Sequence, residues 1–178
     1  AERALAPLTD AGVNLHWYAG VDPDPTFAHV TEGAEVLRAA GCTAIVAVGG
    51  GSSMDAAKII ACTRTSDESP DKWVGLNKVP DDVLPIYAIP TTSGTGSEAT
   101  MGAVIKDPEE QLKHIIVGED LLPRAVALDP DLLLGLPAPV TAATGIDALT
   151  HGIEAYICVW DRGTRKENGR LACLLYTS

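Results

Sequence analysis

The chain has 178 residues, of which 46% are hydrophobic and only 4% aromatic, and its 24 acidic against 13 basic residues give a formal net charge of −11. This length suits one medium domain, or one domain and the beginning of another, with a core built largely from Ala, Val, Leu and Ile. Without a basic stripe the acidic balance argues against a nucleic acid partner, and the apolar runs are strand-sized, far short of the roughly 20 residues that cross a membrane. Cysteines at 42, 62, 158 and 173 form no CxxC pair and read as reduced core residues. The sequence opens at Ala1 without Met, a charged n-region or an apolar h-region, so a cut-open chain with a cytoplasmic location is expected.

Glu2 to Ala11 has helical composition, and Leu15 to Ala19 reads as a short strand entering the Pro-punctuated turn Val21-Asp22-Pro23-Asp24-Pro25. Thr26 is placed to cap a helix on which Phe27, Val30, Ala34, Leu37 and Ala40 recur at helical spacing, and Gly41 is placed to stop it. Thr43 to Val48 is a continuous apolar run, rich in β-branched residues, of the kind a buried parallel strand uses. It opens into Gly49-Gly50-Gly51-Ser52-Ser53-Met54-Asp55 and an Ala-rich helical pattern, so strand, glycine loop and helix form one unit.

Thr65 to Asp82 is polar and reads as a loop with a short helical turn. Leu84 to Ile89 is a second buried strand, opening into Pro90-Thr91-Thr92-Ser93-Gly94-Thr95-Gly96-Ser97-Glu98-Ala99-Thr100. Met101 to Ile105 and Leu112 to Val117 flank Lys106-Asp107-Pro108-Glu109-Glu110 as a β-hairpin, and Ala125 to Leu128 adds a strand. Beyond Pro139 the strand signals stop. Val140 to Cys158 is a long helical pattern, which puts a domain boundary near residue 135. The expected class is α/β.

A glycine loop between a buried strand and a helix brings backbone N–H groups and the Ser52 hydroxyl close to an anion, so a diphosphate is the natural ligand. No Gly-Lys-Ser/Thr follows, which disfavours nucleotide hydrolysis. The hydroxyls of Thr91, Thr92, Ser93, Thr95 and Ser97 lie beyond the end of a strand, where open α/β sheets bind ligands, and suit a ribose or a nicotinamide amide. Asp147 and His151 stand four apart on a helical pattern and share a face, as two ligands of one divalent ion would. The same spacing also fits a helix carboxylate beside a satisfied histidine. Glu154 is either an acceptor behind the ligands or a solvated charge. His16 and His29 read as structural or exposed, and His114 as a hairpin residue without an acidic cluster beside it.

Taken together, Gly49 to Lys58, Pro90 to Glu98 and Ala142 to Glu154 strongly resemble the iron-containing alcohol dehydrogenase family, and the resemblance runs from about Ala1 to about Ile157. It implies a Rossmann-like dinucleotide domain followed by the start of an all-helical metal-binding domain, here 1–135 and 136–158. Gly50, Gly51 and Ser52 would hold the pyrophosphate of NAD(P), and Thr91, Thr92, Thr95 and Thr100 would line the nicotinamide and ribose side. Lys113 would contact ribose, and Asp147 and His151 would be the first two ligands of Fe²⁺, with Zn²⁺ or another divalent ion as alternatives.

The implied activity is hydride transfer between a small alcohol and its aldehyde or ketone, by an enzyme expected to be a homo-oligomer. Its alternatives are a hydroxyacid–oxoacid transhydrogenase-like enzyme and an inert dinucleotide-binding module. Two further histidine ligands are expected later in the family, and residues 152–178 contain none. After Ile157 the resemblance fades, and 159–178 reads as a helix end or as sequence foreign to the gene, the abrupt mismatch favouring the latter.

Overall fold

The computed structural model describes residues 2–66 and 68–157, so the expectation for 159–178 lies outside the described residues. Helix α1 spans Glu2–Asp10. Helix α2, Phe27–Ala40, starts where Thr26 was expected to cap it. The Thr26 side chain accepts the His29 N–H, the Thr26 N–H donates to His29 Nδ1, and Gly41 ends the helix in the left-handed conformation at φ 62°. Strand β1, Ile45–Gly49, runs directly into α3, Gly51–Cys62.

The chain continues through a 3₁₀ turn to β2, Gly75–Leu76, and then to β3, Ile86–Pro90. The hairpin follows as β4, Gly102–Asp107, and β5, Leu112–Val117. Then come β6, Ala125–Val126, and α4, Ala138–Ile157.

The strands form two sheets. In the first, β3 lies between β1 and β6 and pairs with both in parallel, in the register Ile45↔Ile86 and Tyr87↔Ala125. In the second, β5 pairs antiparallel with β4 and parallel with β2, in the register Ile105↔His114 and Gly75↔Ile116. Helix α3 packs against β1 and β3, against β4 and against α2. A helix enclosed this way must be apolar nearly all round, and Met54, Ala56, Ala57, Ile59, Ile60, Ala61 and Cys62 are all buried. The main core joins Ile59 and Ile60 to Val30, Leu37, Trp73, Leu84, Ile86, Ile105 and Ile116. Each such side chain contributes about 1.5–3 kcal/mol of hydrophobic stabilisation.

Two local readings are corrected. Leu15 to Ala19 forms no strand, because nothing among the described residues pairs with it. The segment is tied by side chains instead, with the Tyr18 hydroxyl donating to His29 O at 2.9 Å. Within the expected 65–82 loop, the two-residue β2 joins the second sheet through a partner some forty residues downstream, which no local pattern announces.

Lys58 breaks the apolar rule of α3. It is fully buried, and its ammonium donates to Ser97 O at 2.7 Å, Ser97 Oγ at 3.1 Å, Thr100 O at 3.0 Å, Thr100 Oγ1 at 3.3 Å and Gly102 O at 2.7 Å. One turn earlier, Asp55 accepts from Ser97 Oγ at 2.6 Å and from the Val104 N–H at 3.0 Å. Burial pulls Lys58 down to about 8 against the pull of Asp55 and Glu98. Burial also pushes the Asp55 carboxyl upward against the Ser97 and Val104 hydrogen bonds. Lys58→Met strands this ring of oxygens and leaves Asp55 without its counter-charge. It is expected to cost about 3 kcal/mol, read as a lower urea midpoint; an unchanged midpoint would show that the oxygens find other donors.

Candidate functional site

The N-terminus of α3 opens beyond the ends of β1 and β3. Gly50 is its N-cap and supplies no side-chain cap, so the N–H groups of Gly51, Ser52 and Ser53 have no partner among the described residues. With the positive end of the helix dipole, they form a place for an anion.

The 91–100 loop closes over this terminus. Its near end is pinned by the Thr91 N–H, which donates to Gly49 O at 2.9 Å, and its far end by Lys58. Thr92 and Thr95 stand directly over the glycines. A Cβ on Gly50 would lie 3.1 Å from Thr92 Cγ2, and one on Gly51 would lie 3.2 Å from Thr95 Cβ. Thr92 Oγ1 is buried and has no hydrogen-bond partner among the described residues. A buried hydroxyl left unpaired costs about 1–3 kcal/mol, and an occupant of the cradle would relieve that cost. The donor set, the glycine clearance and the unpaired hydroxyl all fit a dinucleotide diphosphate.

The Thr100 hydroxyl donates to Ser97 O and accepts from Lys58, which ties it into the far stem of the loop. Lys113 is drawn in from β5: its Nζ lies 2.6 Å from Asp24 Oδ1, and the Asp24 N–H donates to Ser52 Oγ at 3.3 Å. Asp24 thus links Lys113 to Ser52 from a left-handed backbone at φ 60°. It was missed in the sequence, where the only signal was its place in a Pro-rich turn.

On α4, Asp147 Oδ1 and His151 Nε2 lie 3.7 Å apart on one helical face, as the four-residue spacing requires. No α4 side chain among the described residues is buried. The helix approaches the loop at Gly94, where a Cβ would lie 1.9 Å from Thr144 O.

The expectation that His114 lacks acidic neighbours is corrected. The hairpin register sets Asp107 diagonally across from it, and the loop returns Glu110 to the same side. Single ligand atoms of Asp107, Glu110 and His114 lie within 4.8 Å of one another, a group able to hold a cation.

The sequence profile described as iron-containing alcohol dehydrogenase matches residues 1–130. The chain belongs to the iron-containing alcohol dehydrogenase family. It is 39% identical over 157 residues to the NAD-dependent methanol dehydrogenase of Bacillus methanolicus, covering 88% of this chain and 41% of that protein. A solved 1,3-propanediol oxidoreductase superposes with a TM-score of 0.84 at 40% identity, over 88% of this chain and 41% of that one. The sulfoacetaldehyde reductase of Bifidobacterium kashiwanohense, solved in complex with NAD⁺, superposes with a TM-score of 0.80 at 36% identity, over 91% of this chain and 43% of that one. The chain therefore spans about two fifths of the length of such relatives, and its mixed α/β fold is the Rossmann-like part of theirs.

The Asp24 carboxyl is held below the usual carboxylate range, first by the hydrogen bond from Lys113 and then by its charge. The stabilisation from this pair is therefore complete above the ordinary carboxylate pKa of about 3.9 and is lost as pH falls through the lower folded value. An NMR titration of the Asp24 carboxyl is expected to show this depression, with Lys113→Met restoring an ordinary value. A titration that does not respond to Lys113→Met would remove the ion pair from the site.

Proposed function

We propose that the chain is the dinucleotide-binding part, 1–135, and the beginning of the helical metal-binding part, 136–158, of a cytoplasmic NAD(P)-dependent and metal-dependent alcohol dehydrogenase. The observation carrying this reading is the cradle at the start of α3, with Gly50 and Gly51 under Thr92 and Thr95 and with Thr92 Oγ1 unpartnered. In this reading the Gly51 and Ser52 amides and the Ser52 hydroxyl bind the diphosphate. Thr91, Thr92 and Thr95 wall the nicotinamide side, and Thr100 supports that wall through Lys58. Lys113 is exchanged from Asp24 to a ribose hydroxyl. The NAD⁺ held by the sulfoacetaldehyde reductase and the NAD dependence named for the methanol dehydrogenase favour this cofactor class.

Asp147 and His151 would hold Fe²⁺, Zn²⁺ or a similar ion through nitrogen and oxygen donors, and such an ion, when bound, would supply Lewis-acid polarisation of an alcohol oxygen. The work of this chain is to hold the dinucleotide and to present two ligands from α4. The substrate proposed is a small alcohol or aldehyde, and the whole enzyme is proposed to be a homo-oligomer. No described helix is long and apolar enough to cross a membrane.

Calorimetric titration of the chain with NAD is expected to show binding that Gly51→Asp abolishes, because the new carboxylate fills the cradle and repels the diphosphate. No heat from the parent chain would overturn the proposal. Since the 178 residues hold no histidines beyond His16, His29, His114 and His151, the chain alone is expected to give no turnover of simple alcohols with added Fe²⁺ and NAD. Turnover that depends on Asp147 would show that two protein ligands suffice.

A further inference from the structure

We infer that Gly94 is the joint through which an occupied cofactor loop fixes the position of the helix bearing Asp147 and His151; this rests on the dinucleotide reading of the loop. Gly94 has φ 141°, a conformation that side chains disfavour. A Cβ there would lie 1.9 Å from Thr144 O, 2.6 Å from its carbonyl carbon and 3.2 Å from its Cα. All three neighbours are backbone atoms of α4, so no side-chain rotation relieves the overlap. Only a hydrogen fits between loop and helix, in the manner of the close Cα–H···O contacts between packed backbones.

The placement of this contact gives it leverage. Thr144 lies three residues before Asp147, about 4.5 Å along the helix axis. On the loop, Gly94 lies between Thr92 and Thr95, the two residues that stand over Gly50 and Gly51. The loop is tied at both stems, by Thr91 to Gly49 and by Ser97 and Thr100 to Lys58, which leaves its middle against α4. No α4 side chain is buried among the described residues, so little side-chain packing competes with this backbone contact in setting the helix. An occupant that orders Thr92 and Thr95 orders Gly94 with them, and Gly94 passes that order to the turn ahead of Asp147. Gly94 is a positioning residue: it touches the helix and acts on the metal ligands through it.

Hydrogen–deuterium exchange of the 178-residue chain, with and without saturating NAD, tests this. NAD is expected to slow exchange of the amides between residues 140 and 150 by about threefold or more. Gly94→Ala is expected to bind NAD, as followed by calorimetry, yet to lose that protection. Gly145→Ala, where an added Cβ meets nothing within 4 Å, is expected to keep it. Unchanged α4 exchange in a parent chain that binds NAD would overturn the inference, as would protection surviving in Gly94→Ala. If Gly94→Ala loses NAD altogether, the parent's exchange with and without NAD decides alone. A parent that binds no NAD would defeat the dinucleotide reading, and the inference with it.

Discussion

The site depends on one buried ammonium. Lys58 lies on the helix that also forms the floor of the glycine cradle, and it reaches across to the turn that closes the cradle from above. Floor and wall are thereby tied by side-chain chemistry at a place where no strand pairing joins them. Its five acceptors, Ser97 O and Oγ, Thr100 O and Oγ1, and Gly102 O, outnumber the three hydrogens of an ammonium. The hydrogen bonds must therefore be shared, and a weaker or shorter donor leaves buried oxygens stranded. Asp55 completes the arrangement by taking the Ser97 hydroxyl and the Val104 amide on its two oxygens.

What was legible in the sequence was what adjacent residues decide. The caps of α2 rest on Thr26 and Gly41, both within reach of one helix, although the share of the His29 side chain in the N-cap was not legible, and the hairpin depends on two β-rich runs around a charged turn. The glycine loop was legible because strand, turn and helix follow without interruption. What stayed hidden depends on distant partners. β2 exists through its register with β5, Lys58 finds its acceptors in the 97–102 turn, and Asp24 meets a lysine from the distant hairpin. The Leu15 to Ala19 run failed for the opposite reason, having the composition of a strand and no neighbour among the described residues to pair with.

Helix α4 shows the same contrast in its energetics. Ile146, Leu149, Ile153 and Tyr156 recur at helical spacing and are all exposed, although burial of such a stripe is what ordinarily holds a helix in a fold. In these residues the helix is placed by a backbone contact and by its covalent link to the α/β part, while Asp147 and His151 occupy another part of its surface. For a chain spanning about two fifths of its relatives, the sequence pattern of α4 describes packing that the described residues do not themselves supply.

The link between Asp24 and Ser52 has a consequence for which ligands the cradle tolerates. Ser52 Oγ accepts the Asp24 N–H on one lone pair and keeps its own hydrogen to offer outward. Around it stand the unpaired amides at the start of α3, which only give hydrogen bonds. The floor of the cradle is therefore directional: its amides favour groups rich in lone pairs, whereas an ammonium or a guanidinium finds no acceptor among them and must turn to hydroxyls such as Thr92 Oγ1 above.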